Sequence, residues 1–265
     1  MEPLVLGSKR LAACRKRIAS GIRGCVRKAH AKGVVVGMSG GVDSSVVAKI
    51  ASESGVNVHA MMLPDDKACD PHGLEDAIFL AKELGIRHEV VPISPIVAAV
   101  EKSFPFLAHA KSNFRTARAN IRPRARMLHL YLAANLDGRL VLGTTNKTEL
   151  LLGYYTKHGD GACDLEPIGG LYKTQVCQLA RHMGLPESLC GKTPTAGLWK
   201  GQTDEGEIGM SYREMDSILY SMVDCGRSPS ETSKLSGISR RKVDSIAMRM
   251  AATAHKRAMP WVIRL

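Results

Sequence analysis

Between Val34 and Ile50 the chain reads VVVGMSGGVDSSVVAKI, an apolar run broken by Ser39-Gly40-Gly41-Val42-Asp43-Ser44 and then resumed. A turn of small residues between a buried strand and a helix aims backbone N–H groups at one point. The helix N-terminus adds partial positive charge there. The glycines let the backbone come close and Ser39, Ser44 and Ser45 carry hydroxyls that can donate, so the chemistry on offer is the cradling of phosphate. No G-K-[ST] follows, so this is not a Walker A loop, and the G-x-G-x-x-G of dinucleotide folds is absent. Asp43 is the odd member, an anion in an anion site. Alone it would repel phosphate, which implies a divalent cation between the two. A hard, oxygen-binding ion such as Mg2+ suits a carboxylate plus phosphates.

A second stretch, GTTNKTELLLGYYTKHGDGACDLEPIGGLYKTQV from Gly143 to Val176, carries more polar chemistry. Gly143-Thr144-Thr145-Asn146 follows an expected strand and opens a short helix, so it forms another ligand loop on the same sheet edge. Glu149 falls in the first turn of that helix, placed to meet the cation held by Asp43. A glycine-broken polar loop then presents Lys157, Asp160 and Asp164, with Lys173 beyond it.

The S-G-G-x-D-S pattern resembles the pyrophosphate loop of ATP pyrophosphatases of the adenine-nucleotide alpha-hydrolase type. That loop is shared by GMP, asparagine and argininosuccinate synthetases, tRNA thiolases and NAD synthetases. Taken with the second stretch, and with NIRPRARM, TPTAGLWKGQTDE and AHKR, the chain closely resembles the ammonia-dependent NAD synthetases over nearly its whole length. The resemblance implies that the nicotinate carboxylate of deamido-NAD attacks the alpha phosphorus of ATP, releasing pyrophosphate. Ammonia then displaces AMP from the adenylate to give NAD.

By the same resemblance Gly37, Met38, Ser39, Gly40, Gly41, Val42, Asp43, Ser44, Thr144, Lys173 and Thr195 match ATP-contacting positions. Asp43 and Glu149 match the magnesium pair, with Asp43 and Lys173 as the catalytic residues. Arg124, Lys157, Asp164, His255 and Lys256 match positions that hold deamido-NAD, and a homodimer with substrate near its interface is implied. Two residues depart from the family pattern: Val42, where bacterial members commonly have glutamine, and Ala119, where glycine usually precedes Asn120. With no room for a glutaminase domain, free ammonia is the expected nitrogen source.

The elements that must position these residues are legible as periodicity. Leu11, Cys14, Ile18, Ile22, Cys25 and Ala29 recur at helical spacing, which predicts an amphipathic first helix. Strands are expected at 34–38, 56–62, 87–91 and 139–142, with helices at 44–52, 73–84 and 122–135. Their alternation predicts an α/β class, a Rossmann-like parallel sheet with helices on both faces and apolar, two-sided strands. Ligand loops then line up along one edge of the sheet. Ser211–Glu214 and Ser228–Glu231 read as capping boxes, so the C-terminal part is expected to be helical, within a single domain spanning 1–265. The polar loops at 65–71 and 195–205 are expected to close over the reactants and keep water from the adenylate.

The 265 residues carry a net charge of +12 and are 45% hydrophobic, enough for one sizeable core and consistent with anionic partners. No window approaches a membrane span. The seven cysteines include no C-x-x-C pair, which fits a reduced, cytoplasmic setting. Cys163 is expected to be an ordinary thiol, and His72, His109, His129 and His182 to be structural. Arg122 and Arg126 are expected on a solvated helix face, unlike Arg124. Ser228–Ile246 also reads as a helix–turn–helix with Arg240, Arg241 and Lys242 opening its second helix. That leaves a tRNA-modifying or nucleic-acid-binding adenylating protein as the rival reading. Aromatics make up only 5% of the chain, which gives no base-stacking platform, so nucleic acid is not the expected partner.

Overall fold

The computed structural model describes residues 4–66, 71–104, 114–195, 197 and 201–263. In chain order come α1 (Ser8–Lys28), β1 (Val34–Gly37), α2 (Val42–Glu53), β2 (Val58–Met62), α3 (Pro71–Glu83), β3 (Arg87–Val90) and α4 (Ser94–Ser103). They are followed by α5 (Phe114–Ala119), α6 (Ile121–Asp137), β4 (Leu140–Leu142), α7 (Lys147–Leu152) and α8 (Lys173–His182). The remainder is helical: α9 (Glu187–Cys190), α10 (Asp204–Ile208), α11 (Tyr212–Leu219), a π-helical turn (Tyr220–Asp224), α12 (Pro229–Ser236) and α13 (Arg240–Ala252).

The sheet is parallel throughout, in the order β3-β2-β1-β4. The period of two sorts its side chains. Val34, Val36, Val58, Ala60 and Met62 join one core with α1, α2, α3 and α8. Val35, Met61 and Val141 join another, against α4 and α6. Both faces are therefore covered, as the apolar runs of β1 and β2 require. The edge strand β3 departs from that expectation: Arg87, Glu89 and Val90 are exposed, and Arg87 Nη1 donates to Asp137 at 3.1 Å. Charge on an edge strand blocks pairing with a further chain. Helix α2 is largely enclosed, burying eight of its twelve residues, Ser44 and Ser45 among them.

A third core, built from Leu152, Tyr172, Tyr212, Met215, Ile218, Leu219, Val243 and Ile246, lies in the C-terminal helices. Both expected capping boxes are present, on Ser211 of α11 and Ser228 of α12. The pair α12–α13, turning at Gly237 with φ 70°, has helix–turn–helix form but serves this core. Val243 and Ile246 are buried in it, while Lys242 donates to Glu214 at 2.6 Å and Arg240 to Asp244 at 2.8 Å.

Helices α4, α5, α8, α9 and α10 are additions to the sequence reading. Ala119 closes α5 with no left-handed backbone, so the usual glycine is not needed there. No helix among the described residues is long and apolar enough to cross a membrane.

Candidate active site

The order β3-β2-β1-β4 makes the chain step outward from β1 in opposite directions, so the turns after β1 and β4 part around a crevice. Such a switch point is where open α/β sheets bind ligands. The first turn runs from Gly37 through Met38 to Ser44. Met38 and Val42 point into the core, 3% and 6% exposed, so replacing glutamine by valine leaves the crevice untouched. Gly40 has φ 75°, and a Cβ there would come within 1.9 Å of Gly73 O, so only glycine allows the turn to pack on α3. Gly41 N donates to Ser39 Oγ at 3.3 Å, and Ser44 Oγ to Gly41 O at 3.1 Å. Ser45 corrects the sequence reading: its hydroxyl is buried and donates to Gly41 O at 2.9 Å.

Asp43 sits in the first turn of α2 and is the hub. Its Oδ1 accepts from Asn146 Nδ2 at 3.0 Å, and its Oδ2 accepts from Lys173 Nζ. Asn146 caps α7 by accepting from Glu149 N at 3.1 Å, while Glu149 Oε2 accepts from Asn146 N at 3.1 Å. This reciprocal box fixes both carboxylates beside the crevice. Burial and the nearby Asp43 charge hold the Glu149 carboxyl well above the usual carboxylate range. Burial opposes the Lys173 charge, but Asp43 and Glu149 outweigh it and raise the ammonium above its ordinary value.

Tyr212 OH donates to Asp204 Oδ2 at 2.8 Å and lies 3.5 Å from Glu149 Oε1, with Lys173 Nζ over its ring at 5.4 Å. Tyr154 OH also donates to Asp204, at 3.2 Å. Asn146 was expected only as part of the second ligand loop, with no role of its own, and neither Asp204 nor Tyr212 was given a role in the sequence. The N-x-x-E spacing Asn146–Glu149 could have revealed the first, whereas nothing local marks the other two.

Thr144 is half-buried beside Gly143. A Cβ on Gly143 would lie 2.4 Å from the Glu166 carboxylate, whose Oε2 accepts from Thr145 N at 3.0 Å. Burial lifts the Glu166 carboxyl to about 7. Burial and Glu166 likewise push the Cys163 thiol up, the opposite of what a reactive thiolate needs. Thr195 is exposed, its Oγ1 accepting from Gly197 N at 3.1 Å.

Of the two expected lids, residues 67–70, 196 and 198–200 lie outside the described residues, as does His109. At the start of the first, Asp65 is buried and paired with Arg122. Arg122 is therefore not on a solvated face. Arg126 is half-buried and donates to Leu63 O at 3.0 Å. Both arginines serve the turn after β2.

The remaining candidates form a chain of contacts. Arg124, exposed on α6, donates to Lys157 O at 3.3 Å, and Lys157 Nζ donates to His255 O at 2.8 Å. Lys256 Nζ donates to Gly153 O and Tyr155 O, both at 2.7 Å. Asp164 is placed differently, on the edge of β4, where its Oδ2 accepts from Val141 N at 2.7 Å. Tyr131 OH lies 3.4 Å from Asp164 Oδ1, and burial with that carboxylate lifts the phenol to about 12.

Among the described residues no three His, Cys, Asp or Glu side chains gather as a metal centre. Asp43 and Glu149 nevertheless fit a cation that completes its shell with phosphate oxygens and water, as Mg2+ does. Burial first, and then the neighbouring Asp43 charge, disfavour the Glu149 carboxylate, a cost that a cation between the two would offset.

Residues 14–260 match the family model described as NAD synthase. The NH(3)-dependent NAD(+) synthetase of Methanosarcina acetivorans is 44% identical over 253 residues, covering 95% of this chain and 97% of that protein. The solved structure of an NMN synthetase from Francisella tularensis superposes with a TM-score of 0.85 at 31% identity, covering 98% of this chain and 100% of that one. An NH3-dependent NAD synthetase from Campylobacter jejuni, in complex with nitrate, gives 0.79 at 28% identity over 98% and 100%.

Proposed function

Since the chain belongs to the NAD synthase family, we propose that its switch-point crevice carries out the ATP-dependent amidation of deamido-NAD with ammonia. The nicotinate carboxylate attacks the alpha phosphorus of ATP, and pyrophosphate leaves. Ammonia adds to the activated carbonyl, AMP leaves, and the product is NAD. A carboxylate is a poor acyl donor, and adenylation supplies the leaving group it lacks. The protein contributes alignment and charge stabilisation.

The observation that carries this reading is the meeting of Asp43, Asn146 and Lys173 at the switch point. The β1–α2 turn aims N–H groups at the triphosphate, and Lys173, once drawn from Asp43, meets its charge. Asp43 and Glu149 would hold Mg2+, which when bound neutralises triphosphate charge. Thr144 and Thr195 offer hydroxyls on either side. Arg124, Lys157 and Lys256 supply cations and His255 an imidazole for the dinucleotide phosphates, with Asp164 at the β4 edge.

Residues 1–265 act as one domain, paired as a homodimer. Leu128, Leu132 and Leu136 of α6 stand exposed on one helical stripe, and Val100 and Phe104 are exposed on and just after the neighbouring α4. Such a face needs a partner. A cytoplasmic setting accords with six described cysteines, all free.

The test is product analysis with ATP, Mg2+ and an ammonium salt. NAD, AMP and pyrophosphate should form in equal amounts from deamido-NAD, and far more slowly with glutamine. Faster amidation of nicotinate mononucleotide than of deamido-NAD would overturn the substrate assignment.

A further inference from the structure

We propose that a cavity between the start of α1, the start of α7 and the π-helical turn binds a small phosphate-bearing anion, at a site separate from the nucleotide crevice. The cavity measures about 240 Å³ and is lined chiefly by Arg10, Lys147, Tyr172, Gln175, Tyr220 and Asp224. Its floor is already organised. Lys147 Nζ donates to Asp224 Oδ1 at 2.5 Å and lies 4.6 Å from the centre of the Tyr172 ring. Tyr172 OH donates to Asp224 Oδ2, and the Tyr220 ring meets that of Tyr172 edge-on at 6.5 Å.

What this lining leaves unspent decides the ligand. Both oxygens of Asp224 are engaged and its charge is matched by Lys147. Gln175 Oε1 accepts from Tyr172 N at 3.0 Å, which leaves the amide Nε2 as a donor. Arg10 is exposed, and its side chain holds no hydrogen bond or ion pair among the described residues. The surplus is therefore donors and one net positive charge, a combination that selects an anion with several acceptor oxygens. Tyr220 adds a ring face for whatever the phosphate is attached to.

A second observation concerns the backbone. α11 does not end but runs on into the π-helical turn Tyr220–Asp224, and it is this turn that brings Tyr220 and Asp224 to the cavity. π turns are rare and concentrate at functional positions. The site backs onto the crevice: Lys147 and Tyr172 line it, while their chain neighbours Asn146 and Lys173 hold Asp43.

Binding is read directly, so the test stands apart from the reaction proposed above. Isothermal titration with inorganic phosphate, pyrophosphate and AMP separates the possible sources of the anion. At least one should show a saturable component that weakens about tenfold, the scale of one charge-assisted contact, in Arg10→Ala and disappears in Arg10→Glu. Arg17→Ala, which removes an exposed cation of α1 away from the cavity, should leave that component unchanged. Absence of saturable binding by all three, equal binding in both Arg10 variants and the wild type, or equal weakening by Arg17→Ala would overturn the proposal.

Discussion

At the scale of single residues, the site is a contest between two carboxylates and one lysine, Lys173, which pairs with Asp43. Asp43→Asn or Glu149→Gln should lower turnover by about 100-fold or more, the scale of losing one electrostatic stabiliser. Steady-state rates in saturating Mg2+ check this, and near-wild-type values would sink the assignment. Glu166 gives a different signature. Its carboxyl is raised to about 7, chiefly by burial, so the folded state prefers it protonated. Its contribution is fully present below the unfolded value and fades as pH rises towards 7. Glu166→Gln should therefore gain thermal stability over the wild type at pH 8 and little at pH 4.5. Parallel melting curves at the two pH values would refute the assignment. His59 carries the opposite sign. It is buried, with Nε2 3.5 Å from Glu89 Oε1 and neither ring nitrogen hydrogen-bonded among the described residues, and burial followed by the Arg87 charge lowers its pKa.

Elements decide where those residues stand. The turn between β1 and α2 depends on Gly40, where a Cβ would strike the Gly73 carbonyl. Gly40→Ala adds that clash to the left-handed backbone, a cost of at least about 1–2 kcal/mol. We expect a melting temperature lower by about 2–4 °C for each kcal/mol, together with weaker ATP binding by calorimetry. An unaltered affinity would show that the turn adjusts freely. This element was fully legible: two apolar runs around small residues specify strand, turn and helix. Strand β3 was legible in position but not in character, because period and length mark a strand while the order of the sheet decides which strands stand at its two edges. Arg122 was misread for a related reason. Five arginines between positions 115 and 126 look like a solvated face, and only the tertiary fold brings Asp65 to one of them. Asp204 and Tyr212 reach Glu149 across more than fifty residues of chain, a distance that no local pattern spans.

Over the whole molecule, charge and apolar surface are both unevenly spread. Helix α1 carries eight of the lysines and arginines and no acidic residue, a field that favours the approach of anionic nucleotides. The leucine stripe on α6 is the counterpart in apolar surface. Leu132→Glu should convert a dimer into a monomer by light scattering, and an unchanged mass would place any interface elsewhere. Two of the three cores meet at the start of α8, where its N-cap Tyr172 belongs to the C-terminal core while Val176, one turn on, belongs to the core beneath the sheet. Lys173 stands between them, on the seam. Loosening of the C-terminal helices therefore carries the ammonium away from Asp43 even while the sheet holds, so activity should fade in denaturant before the circular dichroism of the β-strands does. Cohesion of the two halves and competence for chemistry are one property here, because a single side chain is the rivet for both.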